Sequence, residues 1–178
     1  CMTAHHPNGV TGLTSSNMAV YTEVSDKDLE AFVSSYDIGS VMSFKGIAEG
    51  VENTNYLMHT EKGQFILTLY EKRVSLEDLP YFLRLMTFLA DAGVPCPTPL
   101  QAQDGVALRE LCGRPAAIVT FLNGMWPKKI EAIHCAEIGT ALANLHTAGA
   151  NFTMSRPNGL SIDAWRPLFN ESAAQADK

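Results

Sequence analysis

The sequence predicts an α+β fold: a five-stranded antiparallel sheet with one large helix inserted after the third strand, followed by helices only. Three observations carry this. Short aromatic and aliphatic runs bounded by turn residues fill positions 41 to 71 and again 100 to 121. Between them, "LEDLPYFLRLMTFLADAG" has helical periodicity. Beyond "LNGMWPKK", with its Gly124 and Pro127, the strand-like runs cease and the periodic segments are helical.

The elements follow in order. In "SDKDLEAFVSSYDIG", Ser25 and Asp28 have capping-box-like spacing ahead of Leu29, Phe32 and Val33, and Gly39 reads as the stop. Residues 41 to 48, 55 to 60 and 65 to 71 read as three strands. The third is apolar on both faces, with Phe65, Leu67 and Leu69 alternating with Ile66, Thr68 and Tyr70, so it belongs in the middle of the sheet. The large helix aligns Leu79, Phe82, Leu83, Met86, Leu89 and Ala90 and ends at Gly93. Pro80 fits only its first turn, which starts the helix near Asp78.

"VPCPTP" then excludes helix, since each proline drives its predecessor toward extended geometry. Strand-like "LQAQ", an Asp104-Gly105 turn, "ALREL", a Gly113-Arg114-Pro115 turn and "AAIVTF" complete the sheet. An amphipathic helix with Ile138, Ala141, Leu142 and Leu145 on one face stops at Gly149, and "SIDAWRPLFNESAAQADK" starts another.

Composition narrows the function. The chain has 178 residues, 46% of them hydrophobic, and a net charge of -6, an ordinary globular balance. Its basic residues cluster no further than Lys72-Arg73 and Lys128-Lys129, which excludes the cationic stripe of a nucleic-acid surface. No apolar run approaches the ~18 to 20 residues of a membrane span. The cysteines at 1, 96, 112 and 135 form no Cys-x-x-Cys pair and read as those of a reduced cytoplasmic chain, with Cys96, Cys112 and Cys135 as small hydrophobes in apolar company. Residues 1 to 17 read as a leader or disordered arm, with His5 and His6 a tag remnant rather than metal ligands.

The stretch "AEGVENTN" is too long and polar for a tight hairpin. It lacks full G-x-G-x-x-G spacing, and taken alone it is an ordinary loop. Lying between the first two strands of such a sheet, it is where a protein-kinase-like small lobe covers the phosphates of ATP, and that chemistry calls for small residues and exposed amides. His146, near a helix end, has no partner at catalytic spacing and is assigned no role. Phe121, Met125 and Trp126 beside the linker are equally consistent with stacking on a base and with plain packing.

The ordered segments "GVENTNYLMHT", "FILTLYEKR", "AGVPCPTPL", "AAIVTFLNG" and "ALANLH" resemble those of the aminoglycoside phosphotransferase-like kinases. "FKGIAEGVENTNY" together with "FILTLYEKR" narrows the resemblance to the homoserine kinases of that superfamily, over residues 18 to about 170. The resemblance implies a two-lobed protein-kinase-like fold, with residues 18 to 122 as nucleotide-binding lobe and 123 to 178 as linker and beginning of the helical lobe. It implies ATP and Mg2+ as cofactors and transfer of phosphate to the L-homoserine hydroxyl in threonine biosynthesis. Gly50, Asn53, Thr54 and Asn55 then belong to the phosphate-covering loop, and Thr120, Phe121, Leu122 and Asn123 to the linker whose backbone would bond adenine.

Two departures accompany the resemblance. Related kinases carry Lys or Arg where Thr68 stands and an acid where Tyr81 or Phe82 stands, which leaves Lys72 or Arg73 to reach the phosphates. The catalytic His-x-Asp loop and the metal-binding Asp have no counterpart after Asn151, so no catalytic or metal-binding residue is assigned. The chain accordingly reads as an inactive N-terminal fragment whose uncovered helix face favours self-association. The alternatives are a non-catalytic nucleotide- or partner-binding module, or a related choline or aminoglycoside kinase.

Overall fold

The structure, a computed structural model, describes residues 22 to 47, 52 to 71 and 75 to 176. Helix α1 (Asp26–Val33) precedes strands β1 (Val41–Ile47), β2 (Asn53–Thr60) and β3 (Gly63–Tyr70). A 3-10 turn, Leu76–Asp78, leads into α2 (Leu79–Asp91), followed by β4 (Arg109–Leu111), β5 (Arg114–Thr120), α3 (Ala132–Gly149) and α4 (Ile162–Ala176). The strands form one sheet in the order β1-β2-β3-β5-β4, with β3 central as its two apolar faces require.

Two compact units divide the described residues. The first holds those up to position 71 together with Leu100–Val119; the second holds 75 to 99 and those from 120 onward.

In the first unit, Ser25 caps α1 by accepting from the Asp28 amide at 3.2 Å while its hydroxyl donates to the Asp28 carboxylate at 2.6 Å. The helix lays Leu29, Phe32 and Val33 on one face of the sheet, against a core that includes Tyr56, Met58, Leu67, Leu69 and Ile118. Leu29, Met58, Leu67, Leu69 and Ile118 are fully buried, each contributing about 1.5 to 3 kcal/mol of transfer free energy.

Several turns differ from expectation. Gly39 lies beyond the end of α1, which is capped at Ser34. Gly39 instead holds a left-handed backbone at φ +73 ahead of β1, where an added Cβ would stand 2.8 Å from the Glu61 Cβ. "LQAQ" lies outside the sheet strands and runs into the turn at Gln103: the Leu100 amide donates to Ile118 O at 2.8 Å, but Ala102 bonds locally to Val106. The next hairpin turns at Cys112 and Gly113, with φ of 51 and 71, one residue earlier than predicted. Positive φ at both central residues gives the twist that suits a two-residue hairpin, which lets Arg114 and Pro115 enter β5.

In the second unit, α2 ends in a Schellman motif: Gly93 at φ +83 donates to Ala90 O and Val94 donates to Leu89 O, both at 2.9 Å. Tyr81 and Phe88 meet Phe152 at ring-centroid distances of 5.5 and 5.3 Å. Arg156 lies over the Phe82 ring and pairs with Asp78 at 2.7 Å. The Glu131 amide donates to His134 Nδ1 at 3.0 Å at the start of α3, which runs through Gly149 to a cap at Ala150. Cys96 is half-buried and donates to Met86 O at 3.2 Å, whereas Cys112 and Cys135 are exposed, contrary to their reading as small hydrophobes in apolar company.

Candidate functional site

Strand register sorts the predicted site residues onto the two faces of the sheet. Residues paired across an antiparallel ladder share a face, and alternate residues along a strand do too. Tyr56 and Met58 pack into the core, so Asn53, Asn55, Leu57 and His59 occupy the opposite face of β2. Their partners on β3 are Tyr70, Thr68, Ile66 and Gln64, and on β1 Ile47, Lys45 and Ser43 stand opposite Asn55, Leu57 and His59. Three rows result. A polar row of Asn53, Tyr70, Asn55 and Thr68 lies at the end nearest the β1–β2 connection. A row of apolar Leu57 and Ile66, with Lys45 at its β1 end, follows, then His59 with Gln64.

Within the polar row, the Thr68 hydroxyl donates to Asn55 Oδ1 at 2.8 Å, tying β3 to β2 through side chains as well as backbone. Asn53 Oδ1 is buried with no hydrogen-bond partner, an acceptor whose desolvation is uncompensated and whose pairing with a donor would be favourable. Beside it, burial pushes the Tyr70 phenol above its ordinary range, keeping it a neutral donor. This row is therefore uncharged but rich in hydrogen-bonding groups.

Thr54 lies on the other face and is fully buried. Its Oγ1 donates to Glu71 Oε1 at 2.9 Å and accepts from the Thr22 amide at 3.3 Å. Glu71 also accepts from Thr22 Oγ1 at 2.6 Å and pairs with Arg114 Nε at 2.9 Å. Tyr56 donates its hydroxyl to Thr22 O at 2.8 Å. Thr54 thus supports the site from behind, holding the strand that presents Asn53 and Asn55. Sequence reasoning missed the anchoring role of Glu71; the signal was a carboxylate following a strand in phase with core residues Leu67 and Leu69.

The remaining predicted residues divide as follows. Thr120, Phe121, Leu122 and Asn123 belong to the second unit. Thr120 is committed to Thr98: its amide donates to Thr98 O at 3.0 Å and its Oγ1 accepts from Thr98 N at 2.9 Å. Phe121 is half-buried, Leu122 and Asn123 are exposed, and Met125 and Trp126 are more than nine-tenths exposed. Gly50 and Lys72 lie outside the described residues. Among the described residues, no three His, Cys, Asp or Glu side chains converge as a metal site.

No helix among the described residues is long and apolar enough to cross a membrane. The second unit also carries a groove of about 790 Å³, lined by the turn after α2 and by Ile138, Leu142 and Leu145 of α3.

A homoserine kinase of Bradyrhizobium diazoefficiens is 61% identical over 161 residues, covering 90% of this chain and 49% of that protein. One of Paramagnetospirillum magneticum is 62% identical over 159 residues, covering 89% and 49%. The chain spans about half the length of these curated relatives. A crystal structure of a spectinomycin phosphotransferase in complex with ADP and spectinomycin has a TM-score of 0.57 at 11% identity, covering 86% of this chain and 55% of that one, which places the two in the same fold. Residues 43 to 178 match the model of the phosphotransferase enzyme family, and the chain belongs to that family.

Proposed function

We propose that this chain supplies the nucleotide-binding part of an ATP-dependent kinase that phosphorylates the hydroxyl of L-homoserine to O-phospho-L-homoserine in the cytoplasm. The observation that carries the reading is the 61% identity over 161 residues to a homoserine kinase. Identity at that level across the sheet, the helices and the connection between them supports a shared substrate as well as a shared fold. Residues 18 to 122 are proposed as the nucleotide-binding lobe and 123 to 178 as the linker and the start of a helical lobe.

When bound, ATP supplies the phosphoryl group and Mg2+ offsets its charge, so what falls to the protein is positioning. The polar row fits that task on this chain's own chemistry. Asn55 and Thr68 hold each other in place, which leaves the Asn55 amide nitrogen to donate; Asn53 Oδ1, an orphaned acceptor, suits a ligand hydroxyl or an ammonium rather than a phosphate oxygen. Thr54, bonded to Glu71, fixes the strand beneath them. Gly50 and Lys72 are proposed to act with this row, and Thr120 to Asn123 to meet the adenine. The acceptor's general base and the magnesium ligands are assigned to no residue here.

The test is ATP-dependent phosphorylation by the full-length protein of L-homoserine, choline, L-serine and an aminoglycoside, measured in parallel. Turnover restricted to L-homoserine is expected. Activity only on choline or the aminoglycoside overturns the substrate while leaving the kinase reading; nucleotide binding without turnover on any of them favours a non-catalytic module.

A further inference from the structure

We propose that Lys45 supplies a positive charge, in addition to any from Lys72, that meets a nucleotide's phosphates on the β1–β3 face; the inference rests on the nucleotide-binding reading above and names a residue for it.

The polar row that faces a ligand, Asn53, Tyr70, Asn55 and Thr68, carries no charge, and a polyphosphate held against neutral amides and hydroxyls alone is poorly compensated. Among the described residues of β1, β2 and β3 on that face, Lys45 is the sole lysine or arginine. Its face is fixed by its neighbour: Phe44 packs on the core and meets the Tyr56 ring at 5.5 Å, so Lys45 is turned the other way. It is also uncommitted. Lys62, Arg109 and Arg114 of the same unit each pair with a carboxylate, on Asp37, Asp104 and Glu71 respectively, whereas among the described residues none stands within ion-pair distance of Lys45.

Register gives the reach. Lys45 stands opposite Leu57, one row from the Ile47–Asn55 pair. Diagonal cross-strand neighbours lie about 7 to 8 Å apart, a span that a lysine stem covers. Leu57 and Ile66 offer that stem an apolar bed, leaving the ammonium free at the border of the polar row.

The experiment measures ADP and adenosine affinity by titration calorimetry for the full-length protein, K45M and K45R, with thermal melts alongside. Because Lys45 is exposed, the variants are expected to melt with the parent. K45M is expected to bind ADP about tenfold or more weakly, the worth of one charge-assisted contact, and adenosine within about twofold of the parent. K45R, which keeps the charge, retains most of the ADP affinity. Equal losses for ADP and adenosine, no loss for either, or a fall in K45R as large as in K45M overturns the role of Lys45. A parent protein that binds neither ligand overturns the nucleotide reading itself, a distinct result.

Discussion

Glu71 and Arg114 form an ion pair at 2.9 Å that closes the core side of the sheet next to the candidate site, with the Glu71 side chain only 9% exposed. Removing the guanidinium leaves a largely buried carboxylate served by the Thr22 and Thr54 hydroxyls alone. Truncating one partner of a fully buried pair costs about 3 to 5 kcal/mol, and the partial exposure of Arg114 lowers the expectation to about 2 kcal/mol for Arg114→Ala. Because Glu71 also orders Thr22 and Thr54, Glu71→Ala is expected to cost as much or more. Urea denaturation of both variants and the double variant checks this, and strict additivity would show that the pair is not coupled.

The Tyr36 hydroxyl is buried without a hydrogen-bond partner, and burial pushes its pKa to about 12. The folded state therefore holds the phenol's proton in a range where the unfolded chain releases it. That stabilisation is complete below about pH 10 and is lost as the pH rises through about 12. Tyr36→Phe removes the orphaned hydroxyl, with an expected gain of about 1 kcal/mol at pH 7. It should also flatten the alkaline decline, a difference of roughly 2 to 3 kcal/mol by pH 12. Denaturation curves at pH 7, 10 and 12 for parent and variant read both effects.

Cys112 holds φ 51 in the first central position of its hairpin turn. Asparagine and glycine tolerate that conformation far better than cysteine, so Cys112→Asn is expected to raise stability by about 0.5 to 1 kcal/mol. Cys112→Val, β-branched, should lower it by at least as much. The melting temperatures of the two variants should fall on opposite sides of the parent.

Helix α3 exposes Ile138, Leu142 and Leu145 at 68%, 51% and 38%. An apolar stripe of this kind in water favours association, and the 178-residue chain is expected to sediment as a concentration-dependent oligomer. Ile138→Glu with Leu142→Lys should return it to a monomer. A parent chain that is monomeric at all concentrations removes the stripe as an association surface.

Strand phase and helix periodicity made most of the architecture legible. The period of 3.6 set α2 and α3, the Ser25 cap set α1, and the apolar content of both faces put β3 at the centre. The hairpin at Cys112 was misread because a cysteine at positive φ carries no sequence signal, while the following Gly-Arg-Pro resembles a turn. "LQAQ" alternates like a strand but sits where the Ala102–Val106 bond closes a local turn instead. At the site, the sequence placed Asn53, Thr54 and Asn55 in the loop between the first two strands, whereas β2 already begins at Asn53 and its ladder with β3 takes in all three; register then brings Asn53 and Asn55 onto one face with Thr68. Thr54 looked equivalent in composition; only the alternation of β2 against the core shows that it faces Glu71. Lys45 escaped notice because exposed lysines are common, and its significance comes from which face it shares.

The Asn55–Thr68 pair offers the sharpest separation of structure from function at the candidate site. Thr68→Val keeps the shape and β propensity of the side chain but removes the hydroxyl that donates to Asn55 Oδ1 at 2.8 Å. If the bond only staples β2 to β3, the full-length protein should lose about 1 kcal/mol of stability, and KM for ATP should not move. If the row holds the nucleotide, Asn55 loses its fixed orientation and KM for ATP should rise about fivefold or more while KM for L-homoserine stays within twofold. Asn55→Leu removes the amide altogether and should amplify the same asymmetry. Thr68→Ser, which restores a donor at the same position, should bring KM for ATP most of the way back to the parent value. Measured together, the melting temperature and the two KM values decide between staple and site: a stability loss with both KM values unchanged in Thr68→Val and Asn55→Leu would leave the pair a purely structural tie.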